Sequence, residues 1–256
     1  MMKYLMLGPC AMGAFAILGG LKKIEKELQK VEEIAGSSAG ALIGLFLILG
    51  KSVGEILDIF LNVDVPSMVQ PDLTNVLTSF GLVNHDKIKE YLKLHCDENW
   101  SFQELFEKTN KKLHVTAYCV NKSTTDYFSV DSHPQMNIID AICMSISVPF
   151  IFCAYEFGDF LYLDGGTVEE IPGMAFLNKN QEDVMSLQIK SKYTHYEKIS
   201  SLKIYLELIL NQILNNRLNY DDNYKNKKIL NLEGVNIFNF SMTENEKINL
   251  FLKGCV

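Results

Sequence analysis

Residues 31–49 read VEEIAGSSAGALIGLFLIL: a short run with Val31, Ile34 and Ala35, a turn of small residues and a longer apolar run. The first run, residues 31–35, has the length of a buried strand, and residues 39–49 are long enough for a buried helix. The glycines and serines between the two runs allow a tight turn. The stretch therefore predicts a strand, a sharp turn and a helix, as in a parallel α/β sheet.

The same pattern occurs once before this stretch. Residues 3–7 predict a short strand, residues 8–13 a tight loop, and residues 14–30 a helix that becomes amphipathic. This N-terminal run superficially resembles a signal peptide, but glycine and proline interrupt it, so we predict a buried first strand. Further strands are predicted at 113–120, 125–130, 150–154, 160–163, 184–189 and 235–240. Further helices are predicted at 86–94, 138–145, 198–218 and after Thr243, with residues 51–110 mostly helical.

The wide apolar face of the predicted helix 198–218 is typical of a buried helix, and a lipid-facing or dimer-forming role is the alternative. The sequence has no internal repeat, low-complexity linker or break in composition. We therefore predict a single domain over residues 1–256, of the α/β class. Its central sheet is expected to be mostly parallel, with helices on both faces.

Composition limits the classes of function. The chain has 256 residues, of which 48% are hydrophobic and 21% charged, enough for a large core. A formal net charge of −7 argues against a nucleic-acid partner, since such proteins need a basic patch. The longest apolar run, residues 39–49, is well short of the roughly 20 residues that a spanning helix requires.

None of the six cysteines forms a C-x-x-C pair, which argues against a structural metal site. Two of them lie inside apolar runs, where free thiols are commonly buried. We expect a reducing, cytoplasmic compartment, although the even count leaves a disulfide interpretation open. The six are Cys10, Cys96, Cys119, Cys143, Cys153 and Cys255.

Ser38 is the candidate nucleophile. It is the serine of a G-x-S-x-G pentapeptide, residues 36–40, between the predicted strand and helix. The helix N-terminus that follows carries a partial positive charge, which favours a developing alkoxide. A plain packing turn of small residues is the alternative interpretation.

Asp164 is the candidate general base. It follows the predicted strand 160–163 and precedes two glycines, which let other backbone segments approach closely. A carboxylate there can accept the serine proton and later activate water. Taken alone, the pattern also fits an ordinary Asp-Gly turn.

Residues 8–13, GPCAMG, form the candidate oxyanion loop, since backbone N–H groups in such a loop can stabilise an oxyanion. Pro9 has no N–H, so the amides of Cys10 and Ala11 are the favoured donors. The alternatives are an ordinary turn or a phosphate-binding loop. The latter is weakened because no Walker lysine and serine follow.

Taken in order, these three segments resemble the patatin-like phospholipase family. Residues 145–152, SISVPFIF, also resemble the family segment before the aspartate strand, and residues 169–172 lie where relatives often carry an asparagine before a proline. The resemblance covers residues 3–175 well and the C-terminal third loosely. It implies a three-layer fold, Ser38 as nucleophile and Asp164 as base. It also assigns Gly8, Cys10, Ala11 and Gly13 to the oxyanion hole and Gly36, Gly40, Gly165 and Gly166 to the flanking motifs.

The loop departs from the family pattern G-G-G-x-[RK]-G. Here Pro9, Cys10 and Met12 occupy its second, third and fifth positions. The missing basic side chain removes a positive contribution near the oxyanion, and losing one oxyanion contact can cost about a hundredfold in rate. We therefore expect slower or differently tuned activity.

The resemblance implies a lipid acyl hydrolase that forms an acyl-enzyme and needs no metal or organic cofactor. Its substrate would be a phospholipid, lysophospholipid or neutral acylglycerol, reached by peripheral contact with a membrane surface. The sequence predicts no oligomeric state. Two alternatives stay open: a Ser-His-Asp α/β-hydrolase using His195, and a lipid-binding protein that has lost turnover.

Overall fold

A computed structural model describes residues 2–191, 197–220 and 223–256. Its strands form one eight-stranded sheet with the order β5-β6-β3-β2-β1-β7-β8, and β4 also pairs with β3. The five strands from β3 to β8 along this order are mutually parallel, whereas β4, β5 and β6 join by antiparallel pairing. The strands are β1 (Tyr4–Leu7), β2 (Glu33–Ser37), β3 (Lys112–Cys119), β4 (Thr124–Phe128), β5 (Tyr155–Phe157), β6 (Phe160–Asp164), β7 (Val184–Lys190) and β8 (Asn226–Asn231).

The two edges of β3 are used differently. Along one edge, β4 pairs with β3 from Val115 to Cys119. The opposite edge is shared, because β2 pairs with residues 112–116 and β6 with residues 117–119. Strands β2 and β6 therefore meet end to end, with their last residues opposite Thr116 and Ala117.

Side chains of β1 alternate between the two faces of the sheet, as expected for a strand. Leu5 and Leu7 pack into the main core, which is shared with helices α1 (Ala14–Lys22), α3 (Ala39–Ile48) and α9 (Ile138–Ser145). Met6 points to the other face, where it packs with Ile171 and Phe176 of the segment that follows β6. The sheet thus has a layer on each face, which confirms the predicted three-layer, mostly parallel α/β fold.

The helices fall largely where the sequence predicted them, including Ile138–Ser145. They are α1 (Ala14–Lys22), α2 (Glu25–Leu28), α3 (Ala39–Ile48), α4 (Val53–Asn62), α5 (Val65–Met68), α6 (Thr74–Ser79), α7 (Asp86–Lys93), α8 (Phe102–Thr109), α9 (Ile138–Ser145), α10 (Leu202–Asn215) and α11 (Glu244–Gly254). The predicted capping box at Thr243 is formed, with reciprocal hydrogen bonds to Glu246.

Three predicted elements were wrong. The helix 14–30 is interrupted at Lys23 and divides into α1 and α2. Residues 150–154 form a turn, with Phe150 at a φ of 69°, and the strand begins only at Tyr155. Residues 235–240 are turns that pack apolar side chains on the core, so burial without pairing produced the strand-like pattern.

The last strand of the sheet escaped prediction. Strand β8 lies at an edge and carries exposed Lys227, which hides the apolar signal of a strand while protecting the edge from other chains. Among residues 2–191, 197–220 and 223–256, no helix combines the length and apolar character needed to cross a bilayer.

Candidate active site

Ser38 lies in a strained turn between β2 and α3. Its φ of 57° and ψ of −132° are unusual for a residue with a side chain, and such strain is typical of a nucleophile elbow. The Ser38 amide donates a hydrogen bond of 2.8 Å to the buried Ser145 hydroxyl, which fixes the turn. The two motif glycines make it sterically feasible: a Cβ on Gly36 would lie 2.5 Å from Ala41 Cα, and one on Gly40 2.5 Å from the Leu7 carbonyl oxygen.

The end-to-end meeting of β2 and β6 brings Ser38 to Asp164. Ser37 pairs with Thr116 and Asp164 with Ala117, so the two candidate catalytic residues follow one another along the same edge of β3. Ser38 and Asp164 both line one cavity, and the Ser38 side chain lies close enough to Asp164 to lower the pKa of its carboxyl group. Both residues are buried, with 5% and 3% of their surface exposed.

The surroundings of Asp164 control its charge. Burial raises the pKa of this carboxyl to about 7, while hydrogen bonds from Ser38 and the Gly166 amide and the charge of Arg217 act in the opposite direction. The Gly166 amide donates to Asp164 Oδ1 at 2.7 Å, and the Asp164 amide donates to the Ser147 carbonyl at 2.9 Å. A carboxyl group with a pKa near neutrality is suited to general-base chemistry.

The loop of residues 8–13 lies beside this pair, at the end of β1. The Gly8 amide donates to the Leu187 carbonyl and the Gly13 amide to the Cys10 carbonyl, so these two glycines shape the loop and have no free N–H for an oxyanion. Among the described residues, neither Cys10 nor Ala11 donates a backbone hydrogen bond to another group. Of the four residues predicted for the oxyanion hole, only Cys10 and Ala11 therefore remain as candidate N–H donors among the described residues.

Contacts between motifs hold the loop against the aspartate. Pro9 packs on Gly166, where a Cβ would lie 2.3 Å from the proline ring, and Gly165 is as closely packed against Thr116. The Met12 amide donates to the Ile237 carbonyl at 3.0 Å, which anchors the loop to the C-terminal part of the chain. Burial and the nearby Asp164 carboxylate raise the pKa of the Cys10 thiol, so it stays protonated.

Two cavities meet at Ser38. One, of about 370 Å³, has a mixed lining, in which Asp164 and the polar side chains of Glu170, Lys190, Asn215 and Arg217 stand beside apolar side chains. The other, of about 160 Å³, has almost entirely apolar walls, including Leu42, Phe46, Phe60, Ile88 and Phe152. Ser38 lines both cavities. The first, which contains the charged side chains, is called the polar cavity, and the second the apolar cavity.

Sequence reasoning did not single out Arg217, Ser145 or Ser147, although all three support the site. The sequence feature that distinguishes Arg217 is that it is the chain's only arginine. Both serines lie within the segment 145–152, which resembles the family segment before the aspartate strand. The resemblance assigned no role to either hydroxyl. Ser147 accepts the Asp164 amide through its carbonyl, and its hydroxyl bonds His85 at 2.9 Å.

The histidine of the alternative triad, His195, lies outside the described residues. His85 is buried against Phe152 and Tyr155, and burial lowers its pKa to about 4, so it is neutral. His114 pairs with Glu33 at the start of the sheet. Within the described ranges, no group of three His, Cys, Asp or Glu side chains could hold a metal ion, and all six cysteines are free.

Two viral proteins are similar in sequence to this chain. The chain is 29% identical over 208 residues to the uncharacterized protein R571 of Acanthamoeba polyphaga mimivirus, covering 73% of this chain and 70% of that protein. It is 28% identical over 179 residues to the probable lipid hydrolase 463L of invertebrate iridescent virus 6, covering 66% and 61%.

Two solved structures share the fold. VipD from Legionella pneumophila superposes with a TM-score of 0.70 at 14% identity, over 99% of this chain and 65% of that one. The type III effector protein ExoU superposes with a TM-score of 0.54 at 15% identity, over 99% and 51%. The chain thus spans less than two thirds of the length of either solved protein.

A family model provides the last comparison. The model described as patatin-like phospholipase matches residues 5–177, which include the loop after β1, the turn at Ser38 and the turn at Asp164. With this match and the shared fold, the chain belongs to the patatin-like phospholipase family.

Proposed function

We propose that this protein is a lipid acyl hydrolase that cleaves carboxylic esters through a Ser38–Asp164 dyad. Membership of the family and similarity to a probable lipid hydrolase support lipid ester hydrolysis as the general activity. The observation that carries the specific proposal is that the strained turn at Ser38 and the buried Asp164 carboxylate lie side by side at one edge of β3 and line the same cavity.

The reaction proceeds in two steps. Asp164 accepts the hydroxyl proton as Ser38 attacks the ester carbonyl, and the amides of Cys10 and Ala11 stabilise the oxyanion. The alcohol leaves with a proton returned from Asp164, which forms the acyl-enzyme. Water then attacks the acyl-enzyme, again with Asp164 as base, and releases the fatty acid.

The two cavities indicate what kind of ester fits. An acyl chain fits the apolar cavity lined by Phe46 and Phe60, while the alcohol portion lies on the polar side with Lys190 and Arg217. The two basic side chains favour a phosphate-bearing alcohol, so we propose phospholipid or lysophospholipid over neutral acylglycerol as substrate.

Such a substrate is reached at a membrane surface, so we also propose peripheral membrane contact by a cytoplasmic protein. The apolar stripe of α6 supports this contact. Val76 and Leu77 lie on α6, and Leu73 and Phe80 flank its two ends; 42%, 88%, 77% and 60% of their surfaces, in that order, are exposed.

The test is hydrolysis of a short-chain nitrophenyl ester and of mixed phospholipid vesicles by the wild type, Ser38→Ala, Asp164→Asn and His195→Ala. We expect both dyad variants to lose about a thousandfold or more in kcat, since serine and base act as a unit. His195→Ala should retain full activity. Loss of activity in His195→Ala would instead support the triad mechanism.

An independent readout separates a weak enzyme from an inactive one. A fluorophosphonate probe should add covalently to Ser38, detected by intact mass, and Ser38→Ala should remain unlabelled. A wild type that neither reacts with the probe nor outpaces Ser38→Ala would overturn the proposal in favour of a lipid-binding protein.

A further inference from the structure

Arg217 lies just beyond the end of α10 and reaches the active site from the C-terminal part of the chain. It is the chain's only arginine, beside 23 lysines among the 24 basic residues. Its side chain lines the polar cavity together with Asp164 and Ser38. The loop of residues 8–13, by contrast, carries no basic side chain, and its Met12 is buried among apolar groups.

The backbone next to Arg217 is fixed to the turn that follows Asp164. The Leu218 amide donates to the Val168 carbonyl at 2.7 Å, and the Glu170 amide donates to the Leu218 carbonyl at 3.0 Å. These two bonds form a short parallel bridge between the segments. The position of Arg217 therefore follows from main-chain pairing and not from its side chain alone.

Within the described residues, the guanidinium donates hydrogen bonds to two carbonyl groups. Nε donates to the Leu214 carbonyl at 2.8 Å, and Nη1 donates to the Gly166 carbonyl at 3.1 Å. Gly166 is also the residue whose amide donates to Asp164 Oδ1. The same glycine thus connects the arginine to the catalytic carboxylate.

Arg217 is a source of positive charge for Asp164 in the polar cavity. Among the described groups lining the polar cavity, Glu170 and Lys190 carry opposite charges, and the Cys10 thiol is protonated. Ser38 and Gly166 contribute hydrogen bonds, and Arg217 contributes positive charge that lowers the pKa of Asp164 against the effect of burial. A general base must be ionised to act, so this charge favours its working form.

We propose that Arg217 is a positioning residue for Asp164. It holds the turn after the carboxylate and supplies the positive charge that the loop of residues 8–13 lacks. The role rests on the proposed function, because it matters for turnover only if Asp164 is the base. It makes a separate prediction about the carboxyl group itself, which can be tested without turnover.

The first experiment compares pH profiles of kcat/KM on a short-chain nitrophenyl ester, which has no phosphate, for the wild type, Arg217→Gln and Arg217→Lys. Glutamine retains a hydrogen-bond donor without charge, and lysine retains the charge. We expect Arg217→Gln to move the acidic limb up by about half a pH unit or more, which corresponds to about a threefold loss well below the limb. Arg217→Lys should keep the limb near its wild-type position.

Lys93→Met is the matched control for net charge, because Lys93 pairs with Glu98 on the surface of α7. It should leave the limb unchanged. An equal shift in Lys93→Met, or an unshifted limb in Arg217→Gln, would overturn the proposal. A rise in KM for phospholipid vesicles with an unshifted limb would limit Arg217 to recognition of the substrate phosphate and would likewise overturn its role towards Asp164.

The second experiment titrates the Asp164 carboxyl by ¹³C NMR in the Ser38→Ala background, with Asp164→Asn to assign the signal. Adding Arg217→Gln should raise the titration midpoint, and Arg217→Lys should not. This result would support the role of Arg217 even if the wild type proved inactive, in which case only the proposed function fails. An unchanged midpoint in folded Arg217→Gln would refute the role whatever the activity.

Discussion

In the proposed mechanism, Asp164 must be buried beside Ser38 and must also be ionised to accept a proton, and these two conditions oppose each other. Removing a carboxylate from water favours its protonated form, which is why burial raises the pKa of Asp164 to about 7. The remaining hydrogen bonds and the charge of Arg217 bring the ionised form within reach of neutral pH. The proposed base can therefore ionise near neutral pH, but its burial lowers the stability of the folded protein.

The first prediction concerns the pH dependence of activity. Because the proposed mechanism uses the ionised form of Asp164 as base, kcat/KM should rise with pH and level off above the pKa of about 7. Below that value it should fall about tenfold per pH unit. Steady-state kinetics on a soluble ester from pH 5 to 9 would measure this, and a profile that stays flat down to pH 5 would contradict it.

The second prediction concerns stability. The pKa of Asp164 is raised from 3.8 to about 7, so folded protein holds this proton more tightly and its stability falls as pH rises between these values. Asp164→Asn removes this loss, and should be more stable than the wild type at pH 8 by on the order of 1 kcal/mol or more. Urea denaturation at pH 4 and pH 8 tests the sign, because the advantage should shrink at the lower pH.

The third prediction concerns the close packing of Gly40 at the turn between β2 and α3. A Cβ on Gly40 would lie 2.5 and 2.7 Å from the carbonyl oxygens of Leu7 and Gly8, which are backbone atoms that cannot easily move. Gly40→Ala should therefore cost about 2 kcal/mol or more in unfolding free energy, as for other overpacked sites. Gly54→Ala is the control.

In α4, a Cβ on Gly54 meets only the Ser52 hydroxyl, at 3.9 Å. Alanine there should stabilise the protein by about 0.5–1 kcal/mol through helix propensity. Equal effects of Gly40→Ala and Gly54→Ala on the urea midpoint would show that close packing does not control the turn.

The fourth prediction concerns the α6 stripe. Replacing Leu77 and Phe80 by glutamate should reduce vesicle binding and vesicle hydrolysis, because it removes apolar area from the membrane contact. Hydrolysis of a soluble ester should not change. Leu252→Glu, at an exposed position on α11, is the control. Vesicle sedimentation measures binding, and an unaffected double variant would exclude α6 as the contact.

The elements that sequence could predict are those with a local signal. Apolar runs located β1, β7 and α9, and the pentapeptide located the Ser38 turn, because length and small residues determine these locally. The pairing of β6 beside β2 on one edge of β3 has no local signal, since it joins residues far apart in the chain. The same holds for Arg217, whose approach to Asp164 depends on the bridge at Leu218.

Over the whole molecule, the segment beyond the family match completes the site. Strand β7 pairs with β1, Ile237 anchors the Met12 amide, and Arg217 reaches Asp164. One sheet includes strands from both parts of the chain, which agrees with a single domain, although that remains a prediction. The C-terminal third has to be judged by its contacts with the site, since its sequence resembles the family only loosely.

The fifth prediction concerns the contact between α1 and α11, which joins the start of the chain to its end. A Cβ on Gly254 would lie 2.0 Å from the Ala16 carbonyl oxygen, so Gly254→Val would push the two helices apart. Because α1 follows directly from the oxyanion loop, both the melting temperature and kcat should fall. The exposed-site control Leu252→Ala should change neither. A stable variant with reduced kcat would show coupling to the loop alone, and unchanged values would refute the prediction.

The order of strands in the sheet also has a consequence for synthesis. Strand β1 leaves the ribosome first, but the acceptors for the Gly8 and Met12 amides, on Leu187 and Ile237, are made much later. A growing chain therefore carries Ser38, the proposed nucleophile, before the loop beside it can take its final shape. In the proposed mechanism, ester hydrolysis would begin only after residue 237 has been made.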